Sequence, residues 1–275
     1  MVLRLMIVFG ILSKACLQRI LCISCSNSAS SRFQVDVLQQ SDTPLDIWIR
    51  DWGFVEGAFF NYSPDYARGL YASKDIAIAR RALVQRLGLR CRSLLVVPDG
   101  GNLIHNGKVA LLTEKVCHEN KHHTRLEIEC GVISLGFERV VFLPVEPGDE
   151  VGHADGPCRF LSEDILLVNN YDIAPMRSFA RRLRRVLRSA KLDAEIVELL
   201  WFYQDEASDD VPLTVGCYMN FIHLAQLVVL PQFDHPKDAQ AVAILRSLTQ
   251  TPVAPVFATP LARLGGVFNC VSLTI

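Results

Sequence analysis

Residues 176–190, MRSFARRLRRVLRSA, decide how the fold is read. Phe179, Leu183, Val186, Leu187 and Ala190 recur at helical spacing and form one apolar stripe, and six arginines fill the other faces. A β-type run follows at residues 194–199. The same succession occurs three more times. Residues 74–87 put Ile76, Ala79, Leu83 and Leu87 on one face and lead to a strand at 94–98. Residues 122–135 carry Leu126, Ile128, Val132 and Ile133 and lead to a strand at Arg139–Leu143. Residues 236–249 open with Pro236, a favoured first-turn residue, carry Ala239, Val242, Ala243 and Leu245, and lead to a strand at 253–258. The helix starts at 74, 122, 176 and 236 lie 48, 54 and 60 residues apart. Further strands are expected at Val109–Thr113, Ile165–Asn169 and residues 227–230. A helix with several strands, repeated at such a period, predicts a radial or stacked α/β array rather than two unrelated domains. An earlier unit ends in a strand at 32–39, and its beginning is short.

Composition narrows the function. The 275 residues carry 28 Lys+Arg against 29 Asp+Glu, a net charge of −1, which argues against a nucleic-acid partner. With 50% hydrophobic and 21% charged residues the chain is neither disordered nor collagenous. Nine cysteines, an odd count, are too sparse for a disulfide scaffold and suit a reducing compartment. The longest apolar run, residues 5–12, is far below the roughly 20 a membrane-spanning helix needs. No membrane association is expected. With Arg4 in front, that run also has the form of a short secretory core, but Lys14, Gln18 and Arg19 soon break its apolar character. A strand and helix fragment of the folded domain is the preferred reading, which gives a cytoplasmic protein; residues 1–25 acting as a signal would make it secreted or periplasmic.

Five segments come after the strands that end the repeats, and they hold the reactive side chains. They are Asp46-Ile47-Trp48-Ile49-Arg50-Asp51, Asp99-Gly100-Gly101-Asn102, Gly152-His153-Ala154-Asp155-Gly156, Tyr218-Met219-Asn220-Phe221 and Gly265-Gly266-Val267-Phe268-Asn269-Cys270. In a ring of repeats such segments converge, so Asp51, Asp99, His153, Asp155, Asn220 and Cys270 are expected around one pocket.

Here the sequence resembles the agmatine deiminase and bacterial-type (Porphyromonas-type) peptidylarginine deiminase family of the guanidino-group-modifying superfamily. The resemblance runs over about residues 46–273 and rests on four elements in the family's order. These are Trp48-x-Arg50-Asp51, Asp99-Gly100-Gly101, Gly152-His153-x-Asp155 and Gly265-Gly266…Cys270. It implies a pentein-type α/β-propeller of ββαβ repeats around a pseudo-fivefold axis, the first repeat short or incomplete. Residues 1–31 are then a truncated first repeat or signal-like segment, and residues 32–275 the deiminase domain. Three positions depart from the family pattern: Asp99 stands where agmatine deiminases carry Glu, Asn269 where they carry His, and Phe54 where a proline is expected.

The implied activity is cysteine-dependent conversion of a guanidino group to a ureido group plus ammonia. Agmatine, going to N-carbamoylputrescine in putrescine biosynthesis, heads the substrates, and arginyl peptides come next. The alternative is a catalytically impaired guanidine-binding protein, motivated by the short first repeat. A guanidinium carbon is a poor electrophile, so attack needs a thiolate, carboxylates that hold the cation, and a proton source for ammonia. By resemblance Cys270 is the nucleophile and His153 the acid that becomes a base toward water. Asp51 and Asp155 clamp the guanidinium. If residues 152–156 are extended, His153 and Asp155 point to one side. Asp99, Asn220 and Trp48 are assigned to the substrate, although Trp48 also suits plain packing. No metal or cofactor is called for. A homodimer is a family expectation.

Three other features are read as structural. Cys22-x-x-Cys25 has no second pair at matching spacing. Cys117-His118 with His122-His123 is interleaved with Glu119, Asn120 and Lys121, as at a solvated helix entry. The arginines of residues 176–190 are read as a solvated face rather than a phosphate site.

Overall fold

The computed structural model describes residues 4–9, 34–39, 47–59, 73–90, 92–94, 96, 99–149, 151–202 and 214–274. Cys22 and Cys25 lie outside these residues. The chain begins with β1 (Arg4–Phe9), β2 (Gln34–Gln39), α1 (Ile49–Trp52), β3 (Phe54–Val55), β4 (Ala58–Phe59), α2 (Ser73–Leu87) and β5 (Arg92–Ser93). It continues with β6 (Ile104–His105), β7 (Val109–Thr113), α3 (Lys115–Glu119), α4 (Arg125–Ile133), β8 (Arg139–Leu143), β9 (Cys158–Ser162) and β10 (Ile165–Asn169). There follow α5 (Arg177–Ala190), β11 (Glu195–Leu199), β12 (Ile222–Leu224), β13 (Leu227–Gln232), α6 (Asp238–Leu248), β14 (Val253–Phe257), α7 (Thr259–Ala262) and β15 (Ser272–Thr274).

Two compact units result, Met1–Ile49 with Leu199–Ile275 in one and Arg50–Glu198 in the other. In Arg50–Glu198 the sheets are β3-β4-β5, β6-β7-β8 and β9-β10-β11. The first two open with an antiparallel pair, and after a helical crossover the third strand lies parallel to the central one. That is the ββαβ repeat, and β9, β10, α5 and β11 keep the same element order. All five residues of β7 are buried, as expected for a central strand covered on both faces. Ile128 and Val132 of α4 pack with Ala110, Leu112 and Phe142 in this core.

In the other unit β12, β13 and β14 repeat the pattern, antiparallel then parallel. The remaining sheet is drawn from both ends of the chain: β1 pairs antiparallel with β15 and parallel with β2. The first repeat, short when read from the N-terminus, thus takes its outer strand from Ser272–Thr274. Among the described residues every sheet has three strands, and no helix is long and apolar enough to cross a membrane.

Three local expectations need correction. The helix expected at 122–135 starts at Arg125, because Thr124 and Glu127 form a capping box: Glu127 N–H donates to Thr124 Oγ1 at 3.2 Å and Thr124 N–H to Glu127 Oε2 at 2.6 Å. The Thr-x-x-Glu signature was in the sequence. The strand expected at 94–98 is instead Arg92–Ser93, where the chain reaches β4, with Leu94 N–H still donating to Phe59 O at 3.0 Å; Leu95, Val97 and Pro98 lie outside the described residues. Residues 154–157 are a turn, not extended chain, so alternation does not relate His153 to Asp155. Gly156 and Pro157 supply that turn, and Cys158 N–H closes it on Ala154 O at 3.3 Å.

Candidate active site

Asp51, Asp99, His153 and Asp155 come together within Arg50–Glu198, all at or below 7% exposure. Asp51 sits on α1, a single turn anchored by fully buried Ile49 and Trp52 and closed at its end by the Arg80 guanidinium on the Trp52 carbonyl. Asp99 precedes a 3-10 turn, Gly100–Asn102. His153 Nε2 lies 3.1 Å from Asp99 Oδ2, and its Nδ1 lies 3.6 Å from Asp51 Oδ1. Gly101 links the three segments, donating its N–H to Asp51 Oδ1 at 3.2 Å and accepting the Asp155 N–H at 3.1 Å.

Why two glycines succeed Asp99 is steric. A Cβ on Gly100 would stand 1.8 Å from the Arg50 carbonyl oxygen. One on Gly101 would stand 2.5 Å from His153 Nδ1 and 2.8 Å from Asp51 Oδ1. Only hydrogen fits there.

Burial alone would push the His153 imidazole down. The charge of Asp51, the hydrogen bond and charge of Asp99, and the charge of Asp155 outweigh it and raise the group to about 10. At neutral pH both ring nitrogens are therefore donors, each facing a carboxylate. Asp99 Oδ1, also buried, accepts no hydrogen bond among the described residues. The nearby Cys158 thiol is pushed up by burial and by Asp155, so it stays protonated.

Cys270 and Asn220 belong to the other unit. The Asn220 Oδ1 atom gathers three donors: Asn269 N–H at 2.9 Å, Cys270 N–H at 3.3 Å and Cys270 Sγ at 3.4 Å. Ser272 N–H and Oγ both donate to Asn269 O, at 3.1 and 3.2 Å, which tightens the same turn. Gly265 adopts φ +95, and a Cβ on Gly266 would stand 2.3 Å from the Trp48 ring. Cys270 is half-buried.

Asp99, Asn220 and Trp48, assigned to the substrate by resemblance, thus each have a protein partner that the sequence did not reveal. Sequence reading passed over Thr113, Asn169 and the side chain of Asn102. Their signal was faint: Thr113 and Asn169 are the polar last residues of otherwise apolar strands. Among the described residues no group of three His, Cys, Asp or Glu side chains is placed to hold a metal. Arg177, Arg181, Arg185 and Arg188 of α5 are exposed, while Arg182 and Arg184 reach Glu114 and Glu198.

The sequence model of the Porphyromonas-type peptidyl-arginine deiminase family matches residues 12–275. The agmatine deiminase of Ectopseudomonas mendocina is 27% identical over 297 residues, covering 91% of this chain and 81% of the relative. Among solved structures, the agmatine deiminase of Enterococcus faecalis superposes with a TM-score of 0.78 at 15% identity, over 98% of this chain and 92% of that one. A cysteine-to-serine variant of the C. jejuni agmatine deiminase with substrate bound superposes with a TM-score of 0.73 at 16% identity, over 98% and 92%. The fold, mixed α/β of the pentein type, is shared with these enzymes.

Proposed function

The chain belongs to the Porphyromonas-type peptidyl-arginine deiminase family, and from that premise we propose that it is an agmatine deiminase-like hydrolase that converts a guanidino group to a ureido group and ammonia. The observation that carries this reading is His153, an imidazolium with one carboxylate on each nitrogen and a third nearby. Three acidic side chains around one cation leave an excess of negative charge, which suits a cationic guanidinium. Asp99 Oδ1 supplies a buried acceptor for a guanidinium N–H, since a carboxylate oxygen left unbonded in the interior is costly. Asp51 and Asp155 are proposed to complete the clamp.

In the proposed reaction the Cys270 thiolate bonds to the guanidinium carbon. One C–N bond then breaks as His153 gives its proton to the departing nitrogen, which leaves as ammonia. The product is a thiouronium on Cys270. His153, now neutral, takes a proton from water and the hydroxide adds to the carbon. As the C–S bond breaks the hydroxyl proton passes to solvent, where it completes the ammonium, and the ureido product leaves with the thiolate and the imidazolium restored. A raised His153 fits this order, because the residue must begin as an acid and becomes a base only after the proton has gone with ammonia. Asn220 is proposed to aim the thiol rather than to touch substrate.

Agmatine ranks first because the curated relative is an agmatine deiminase; arginyl peptides rank second because the matching family is described by that substrate. Cys117, Cys130 and Cys158 are free thiols, as a reducing, cytoplasmic setting would have them. The test is ammonia release from agmatine, free arginine and an arginyl peptide without added amine. Release from agmatine above the other two is expected. Binding of agmatine without release would leave a guanidine-binding protein. Transfer of the amidino group to an added amine, with the alkyl amine rather than ammonia as the leaving group, would make it an amidinotransferase.

A further inference from the structure

The segment from Gly152 to Gly156, which carries His153 and Asp155 into the turn, begins and ends at glycine, and glycine leaves a backbone pliable. Gly152 stands at φ +64. Two buried side chains from outside the recognised motifs bond to these glycines. Thr113 Oγ1 donates to Gly152 O, and Asn169 Nδ2 donates to Gly156 O at 2.9 Å. Thr113 is 0% and Asn169 2% exposed. They occupy the same place in successive repeats, the last residue of the central strands β7 and β10.

Each end of this bracket is fixed in turn. Thr113 N–H donates to Asn102 Oδ1 at 2.8 Å, and Asn102 closes the 3-10 turn that Asp99 precedes. A closed circuit of contacts results, from Asp99 through Asn102, Thr113 and Gly152 to His153 and back to Asp99 Oδ2 at 3.1 Å. At the other end Asn169 Nδ2 also donates to the Tyr171 hydroxyl at 3.2 Å, and that hydroxyl donates to Glu146 Oε2 at 2.5 Å.

We propose that Thr113 and Asn169 are the positioning residues of the His153 turn, with Tyr171 and Glu146 holding Asn169 in its bonding orientation. Buried polar groups need partners wherever they lie. These two, however, bond to the carbonyls flanking the turn, and β7 and β10 are otherwise apolar from end to end. Misplacing a reacting group by about 1 Å can cost about a hundredfold in rate. A bracket on a glycine-flanked turn limits that error. The proposal rests on the deiminase reading for its effect on rate, but not for its effect on the imidazole.

Thr113→Val and Asn169→Leu keep the bulk, add no charge and remove the donors; Thr113→Ser keeps the hydroxyl. Ammonia release from agmatine is measured for each, with thermal unfolding as the check on folding and NMR titration of the His153 imidazole. The expected result is a fall in kcat/KM of about tenfold or more for Val and Leu, and less than about threefold for Ser. In the same two variants the His153 titration is expected to drop clearly below that of the wild-type protein. Folded Val and Leu variants that titrate like wild type overturn the proposal, whatever their activity. If Asn169→Leu does not fold, Tyr171→Phe carries the test on that side, with a smaller drop expected and no drop overturning it. A wild-type protein that releases no ammonia from any substrate sinks the deiminase reading instead, and the titration still decides the positioning.

Discussion

The two halves of the proposed machinery are built on opposite principles. Around His153 everything is charge: three carboxylates act on one imidazole and hold it protonated. Around Cys270 the described geometry is that of a neutral amide, one Asn220 oxygen accepting two backbone N–H groups and the thiol. The first arrangement fixes a protonation state, the second a direction. A proton donor must be charged before substrate arrives, so its acids are permanent features of the fold. A thiol is better activated by the substrate's own cation than by a permanent neighbour, because a lasting positive charge beside it would repel guanidinium.

The largest effect should come from Cys270→Ser. Ammonia release falls below detection, while agmatine binding by calorimetry stays within about threefold, since carboxylates hold the cation and a serine hydroxyl is scarcely ionised. Retained turnover would break the contrast between a charge-holding and a bond-forming half. Next is Gly101→Ala, which forces a methyl into the space between His153 Nδ1 and Asp51 Oδ1. Overpacking of this kind costs about 1–3 kcal/mol of stability, and the displaced imidazole should lower kcat about a hundredfold. An active, equally stable Ala variant by thermal unfolding and ammonia assay would show that this packing does not matter.

Asn220→Asp sharpens the comparison from the neutral side. The acceptor remains, so the turn should fold, but a negative charge beside the thiol disfavours thiolate and moves the activity profile to higher pH. No shift would mean the amide's neutrality is incidental.

The smallest effects are those of pH at Glu146. Burial pushes this carboxyl up to about 7, against the Tyr171 hydrogen bond, and Asp149 adds to the rise; Tyr171 and Asp149 are the titratable groups acting on it. Because the unfolded chain ionises near 4.5 and the folded one near 7, the folded state loses stability as pH rises across that window. Glu146→Gln should therefore gain in melting temperature relative to wild type as pH rises from about 4.5 to about 7, and lose any activity limb near 7. For His153 the contribution also fades as pH rises, but in a higher window: a group raised from 6.5 to about 10 stabilises fully below 6.5 and loses that contribution as pH rises through 10. An unchanged difference between the Gln variant and wild type would remove Glu146 from the network.

Much of this was legible in the sequence, for reasons particular residues show. The stripe of Phe179, Leu183 and Leu187 gives α5 almost to the residue, because an amphipathic helix writes its burial in its period. Strands β7, β8 and β10 stand where apolar runs placed them. The pairing of β1 with β15 was not legible, since a contact between opposite ends of a chain leaves no local signal. Within the candidate site, motifs named the side chains proposed to react, whereas their partners could not be read. That Asp99 bonds His153, that Asn220 holds the Cys270 turn, and that Gly101 makes room for an imidazole are facts of close approach between distant segments. Composition says nothing about which carboxylate meets which nitrogen.

The most direct test is the bond itself. Wild-type protein mixed with agmatine and denatured in acid during the first turnover is digested and weighed by mass spectrometry. The peptide containing Cys270 should appear heavier by one agmatine less one ammonia, and the added mass should vanish as substrate is exhausted. Ammonia released while every copy of that peptide keeps its unmodified mass would contradict covalent attack by Cys270.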